Sequence, residues 1–110
     1  MANNFRIPPE VESAIRARDV ECVYCHKEMV PTSSALRADW ATIEHLDHLP
    51  PFKYREGQTA DDFAMACGSC NSSRGAQPLA AFVAKRGIAD TVAPVIKVYL
   101  SRSRRAASSM

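Results

Sequence analysis

The sequence contains no apolar run near the ~20 residues that a helical membrane span needs. Its first residues, Met1-Ala2-Asn3-Asn4-Phe5-Arg6, lack an apolar h-region, so no secretory signal is expected. Internal repeats and linkers are missing too, which leaves one domain, 1–110, as the reading of 110 residues and 12.1 kDa. Acids are nearly absent from the last third. Residues 71–110 carry seven Lys or Arg and a single acid, Asp90, for a net +6; residues 1–70 carry seven Lys or Arg and eleven acids, for a net −4. That asymmetry, with ten Arg to four Lys, suits a chain that meets a polyanion at one end.

What is present is a globular balance: 46% hydrophobic and 24% charged residues. With no secretory signal, a cytoplasmic protein is the expectation. Its four cysteines then read as metal ligands or reactive thiols rather than disulfides.

Local signals divide the chain into short elements. Pro8-Pro9, acids in the first turn and Arg in the last predict a helix over about 9–18. Residues 20–27 read as a short strand running into a tight turn, and 31–39 as irregular loop or a short helical turn. The β-branched, roughly alternating segment 40–46 predicts a strand, ended by Pro50-Pro51. A surface loop follows over 52–61, then a second strand over 63–67. A helix starts near Cys70 and runs toward Arg74. Further helices are expected within about 78–101, the first closed by Gly87 and the second starting near Asp90. Residues 102–110 read as a polar tail.

Cys22-x2-Cys25 and Cys67-x2-Cys70 are two CxxC pairs with 41 residues between them. Each such turn places two sulfurs on one side of a knuckle, and two knuckles complete a tetrahedral four-thiolate zinc site. Four protein ligands leave no position for substrate, so this zinc is structural and contributes folding energy of order ~10 kcal/mol. A redox CxxC would need only one pair, in a βαβ context. A short chain with few long apolar elements commonly uses such a staple. His26, directly after the first knuckle, reads as solvated or hydrogen-bonded to the turn rather than as a substitute ligand.

Between the knuckles lies Thr42-Ile43-Glu44-His45-Leu46-Asp47-His48-Leu49-Pro50-Pro51. Neighbouring strand residues point to opposite faces, so Glu44 and His45 serve one site only if the chain bends there.

Cys-x2-Cys, then Thr-x-Glu-His, then Ala66-Cys67-Gly68-Ser69-Cys70-Asn71-Ser72-Ser73-Arg74-Gly75, resembles the HNH endonuclease family in its zinc-knuckle branch. The resemblance covers about residues 20–80. It implies an α+β chain: a small ββα-metal domain with a structural four-cysteine zinc site, flanked by helices. It further implies His45 as general base, with Glu44 and Asn71 holding a catalytic divalent cation such as Mg2+ or Mn2+. Asp62 stands where the family has an Asn that orients the base, and Asp lacks the amide donor. Arg74 resembles the family's phosphate-contacting position. The strand, its partner and the helix would enclose one cleft, and the loop after the strand would permit the bend. Asp47-His48 fits the family's Asp-His-x2-Pro variant and is the alternative pair. Glu44-His45 is preferred because it sits in the β-branched strand that runs on from Thr42, with a Pro-Pro-Phe element following at a loop-like distance.

The chemistry suits these residue types. Phosphodiester cleavage needs an activated water and charge stabilisation on the phosphate, which a hard cation on oxygen ligands supplies. A neutral His titrating near ~6.5 accepts a proton at about pH 7. The expected activity is therefore that of a metal-dependent DNA endonuclease or nickase. Its basic third (Arg74, Lys85, Arg86, Lys97, Arg102, Arg104 and Arg105) would grip phosphates. No base-reading element is visible, so specificity would be low or supplied by a protein partner. Two other readings remain open: a non-catalytic zinc-knuckle module that binds nucleic acid, and a zinc-stapled interaction domain that does not. The compact size and Arg-rich end suit a phage, mobile-element or host-defence protein.

Overall fold

A computed structural model describes residues 6–32, 35–47 and 53–108, with 103–108 as backbone alone. Helix α1, Pro9–Arg18, forms where the sequence signals it: proline at its start, Glu10 and Glu12 in the first turn, Arg16 and Arg18 in the last. Its C-terminal end is tied to the sheet. Arg18 donates to the Phe63 carbonyl (2.7 Å) and the Ala60 carbonyl (2.9 Å), and the buried Asp19 carboxylate accepts from the Met65 amide at 3.0 Å.

The sheet is one antiparallel pair, β1 (Ala41–His45) and β2 (Phe63–Cys67), in the register Thr42↔Ala66, Glu44↔Ala64 and His45↔Phe63. Paired residues share a face. Ile43, Phe63 and Met65 pack with Ile7 and Ile15 on the α1 side. Ala64, Ala66 and Leu46 pack on the other side against Tyr24, Leu79, Phe82, Val83, Val92 and Ile96. With cover on both faces, every β2 residue is buried, which explains an unbroken apolar run rather than alternation.

Helix α2, Gly68–Arg74, follows β2 directly. A Cβ on Gly68 would lie 2.1 Å from the Arg37 carbonyl oxygen, so the 3-10 turn Arg37–Asp39 can seat against α2 only because position 68 lacks a side chain. Helix α3, Leu79–Arg86, is closed by Gly87 in the left-handed region (φ +66°), as its sequence predicts.

Two elements differ from expectation. Residues 20–27 form no strand. One bridge, Glu21 with Glu28, closes a knuckle in which the Cys22 amide donates to the Lys27 carbonyl (3.0 Å) and the His26 amide to the Cys22 carbonyl (2.9 Å). Helix α4 runs Pro94–Ser108, not from Asp90 to 101. The Ala93 amide is engaged by the Val23 carbonyl at 3.0 Å and Pro94 has no N–H, so the helix starts at the proline. Arg102 to Ser108, read as tail, continue it. The chain is thus α+β in kind, with its four cysteines close together. No helix among the described residues is long and apolar enough to cross a membrane.

Candidate metal centre and acid–histidine site

The four cysteines come from three places. Cys22 and Cys25 lie on the knuckle, Cys67 ends β2 and caps α2, and Cys70 sits in the first turn of α2. Their sulfurs all lie within 4.8 Å of one another, and Cys25 Sγ is 3.8 Å from Cys67 Sγ. Tetrahedral zinc with Zn–S of ~2.3 Å requires sulfurs about 3.8 Å apart, so the cluster fits the ion. No disulfide joins these thiols, and 3.8 Å is far beyond the ~2.05 Å of an S–S bond. Burial pushes the Cys22 and Cys70 thiols up, while backbone and neighbouring thiol hydrogen bonds hold the exposed Cys25 thiol low despite its own partial burial. Arg86 Nη2 approaches Cys70 Sγ at 3.6 Å while its guanidinium lies over the Phe82 ring. His26 is not part of the cluster. It adopts φ +65°, and its Nε2 meets the Thr91 carbonyl.

The acid–histidine segment is arranged differently from expectation. Glu44 is 3% exposed and faces the α2 side of the sheet. Its Oε2 accepts from the Tyr24 hydroxyl, and its Oε1 lies 3.3 Å from Arg74 Nη1 in an ion pair without an aligned hydrogen bond. Burial raises the Glu44 carboxyl above its ordinary value, with Arg74 and Tyr24 opposing. Burial, helped by the Glu44 charge, keeps Tyr24 a protonated donor. His45 is 6% exposed on the opposite face, its ring edge-to-face with Phe63 at 5.1 Å. The alternation of the strand therefore holds at this position, and Glu44 and His45 do not converge.

Asn71 reaches the same face of β1 as Glu44. Its Nδ2 donates to Thr42 Oγ1 at 2.9 Å, and that hydroxyl donates to the Ala66 carbonyl at 2.7 Å. Both Asp62 oxygens are engaged near β2's start. One oxygen accepts from the Thr59 amide (2.9 Å) as a capping box for the 3-10 turn Ala60–Asp62, and the other accepts from Arg102 at 3.2 Å.

Arg74 also departs from its expected place. The resemblance implies a contact with phosphate, yet the side chain is 1% exposed. Its Nε donates to the Gln77 carbonyl (3.1 Å), Nη1 to the His45 carbonyl (3.3 Å) and Nη2 to the Leu46 carbonyl (2.9 Å). The Glu44 carboxylate and three carbonyls draw it inward. Lys85, Arg86, Lys97 and Arg102 are exposed, with Arg102 lying over Tyr99. The side chains of Arg104 and Arg105 lie outside the described residues.

Of the alternative pair, Asp47 pairs with Arg55, and His48 lies outside the described residues. Asp47 lines an open cavity of about 240 Å³ with Leu46, Arg74, Leu79 and Tyr99. Among the described residues, the cysteines are the one group of three or more metal-ligating side chains placed to share an ion. Sequence reasoning missed Tyr24 and the burial of Arg74. A tyrosine inside a knuckle and an arginine after the last cysteine carry no sign of each other. Comparison of the chain with models of protein families, with curated proteins and with solved structures gives no match.

Proposed function

We propose that this chain is an HNH-type DNA endonuclease or nickase: a ββα-metal unit stapled by zinc that hydrolyses phosphodiester bonds. The observation that carries the reading is the hydrogen bond from Asn71, one residue past the last cysteine, to Thr42 at 2.9 Å. With the Arg74 contacts to the His45 and Leu46 carbonyls, it draws the separate motif segments onto one strand.

Zinc at Cys22, Cys25, Cys67 and Cys70 supplies folding energy and no chemistry. At the end of β1 a neutral histidine takes the proton of the attacking water, and the basic residues of α3 and α4 hold the flanking phosphates. A catalytic divalent cation, when bound, supplies charge stabilisation on the phosphate. Glu44 does not fit as its ligand in this arrangement, because Arg74 and Tyr24 occupy the carboxylate. That occupancy favours a second reading of the pair. Asp47, which lines the open cavity and whose partner Arg55 is itself half exposed, becomes the carboxylate and His48, its neighbour in sequence, the base, while in the first reading His45 keeps that role.

Nicking of supercoiled plasmid in Mg2+ or Mn2+ tests both. His45→Ala or His48→Ala abolishes nicking, whichever is the base, with zinc content unchanged. Plasmid binding without nicking by the wild type would leave the non-catalytic nucleic-acid module. Neither binding nor nicking would leave an interaction domain.

A further inference from the structure

A charged pair buried on the inner face of the sheet has no role in the chemistry above. Arg74 and Glu44 are 1% and 3% exposed, and four polar partners surround the guanidinium. Burying two charges costs about as much as their attraction returns, and apolar residues of similar volume often serve stability as well. The value of the pair therefore lies in what it specifies.

The contacts show what that is. The sheet ladder ends at His45↔Phe63, and beyond it the Leu46 amide still donates to the Asp62 carbonyl at 3.1 Å. The carbonyls of His45 and Leu46 go to two nitrogens of one guanidinium. A planar fork can hold two successive carbonyls and a carboxylate together, whereas an ammonium has no such fixed geometry. Glu44 in turn is held by Tyr24, which lies between the two cysteines of the first knuckle.

We propose that Glu44 and Arg74 are positioning residues: the pair clamps the end of β1 and so sets where the acid–histidine segment leaves the strand. Its catalytic consequence rests on the endonuclease reading; its structural consequence does not. Glu44 then acts through Arg74 rather than on a cation, and Arg74 acts on backbone rather than on phosphate.

The test uses the full zinc-loaded chain with Arg74→Lys, Glu44→Gln and Tyr24→Phe, and reads amide hydrogen exchange alongside plasmid nicking. Zinc content and far-UV circular dichroism check the fold. Arg74→Lys is expected to speed exchange of the Leu46 amide by about tenfold or more, with the β2 amides little changed. It lowers kcat by roughly 10- to 100-fold with KM for DNA unchanged, as displacement of a reacting group does. Glu44→Gln and Tyr24→Phe shift both readouts the same way, less strongly. A raised KM with unchanged kcat would make Arg74 a phosphate contact and overturn the proposal. A raised Mg2+ requirement in Glu44→Gln, with exchange unchanged, would make Glu44 a cation ligand and do the same. If Arg74→Lys fails to fold, Tyr24→Phe, which removes a single hydroxyl, decides by the same two readouts. If the wild type does not nick, the endonuclease reading fails, and the exchange measurement alone still decides the clamp.

Discussion

Arg74 Nη2 donates to the Leu46 carbonyl at 2.9 Å from a position with 1% exposure, so an arginine read from sequence as a phosphate contact is an interior fastener. The same guanidinium lies 3.3 Å from Glu44 Oε1. Removing one partner strands the other charge in the core. Glu44→Ala is expected to cost about 3–5 kcal/mol in urea unfolding, whereas an exposed pair such as Arg16–Glu12 is worth under about 1 kcal/mol. Equal losses for Glu44→Ala and Glu12→Ala would show that the buried pair is not held as described.

The Glu44 carboxyl also gives stability a pH dependence of definite sign. Its folded pKa lies above the ordinary 4.5, chiefly through burial. The folded state therefore holds this proton more tightly than the unfolded chain. The stability it contributes is fully present below 4.5 and is lost as pH rises through the raised value. Relative to Glu44→Gln, which does not titrate, the wild type should lose stability over that window. Unfolding free energies of the two proteins at matched pH and saturating zinc measure it, and a constant difference would contradict the assignment.

Zinc removal should unfold the chain. A strong chelator is expected to abolish the far-UV helical signal cooperatively, in keeping with a contribution of ~10 kcal/mol from the ion. Cys67→Ser, at the join of β2 and α2, should behave alike. Because burial raises the Cys22 and Cys70 thiols, protons compete with the metal, and apparent zinc affinity should rise with pH in a competition titration. Retention of the helical signal in chelator would exclude a structural role.

Gly68→Ala should destabilise by about 1–3 kcal/mol, as overpacking against backbone does. The added Cβ meets the Arg37 carbonyl at 2.1 Å, and backbone on both sides has little freedom to yield. The denaturation midpoint reports it; an unchanged midpoint would mean that the 3-10 turn moves freely.

DNA binding, on the proposed reading, should weaken with salt through the exposed cations of α3 and α4. Lys85→Ala and Lys97→Ala should each lower the slope of log K against log salt by about 0.9 if each contacts a phosphate. Arg74→Lys should leave that slope unchanged, because the side chain it replaces is buried. Filter binding or fluorescence anisotropy across a salt series separates them.

Elements with a local cause were legible in the amino-acid order. Pro8-Pro9 with flanking charges set α1, Gly87 closed α3, and each CxxC spacing set its own pair of thiols, because such a pair's geometry depends on adjacent residues; the fold then brought the two pairs together, Cys25 Sγ to 3.8 Å from Cys67 Sγ. Strands 40–46 and 63–67 were legible for the same reason, from β-branched and apolar runs. The surroundings of Glu44, His45, Asp62 and Arg74 follow instead from how distant segments pack. Alternation puts Glu44 and His45 on opposite faces, but what each meets there, Arg74 and Tyr24 for one and the Phe63 ring for the other, is set by packing. A capping box and Arg102 engaged Asp62, and a buried carboxylate with three carbonyls drew Arg74 inside. Each outcome includes a partner 18 to 40 residues away along the chain (His45 and Phe63 are 18 apart, Arg74 and Leu46 28, Asp62 and Arg102 40), even where a near neighbour such as Thr59 or Gln77 also contributes, and no local pattern encodes which of two charges meets solvent and which meets the other.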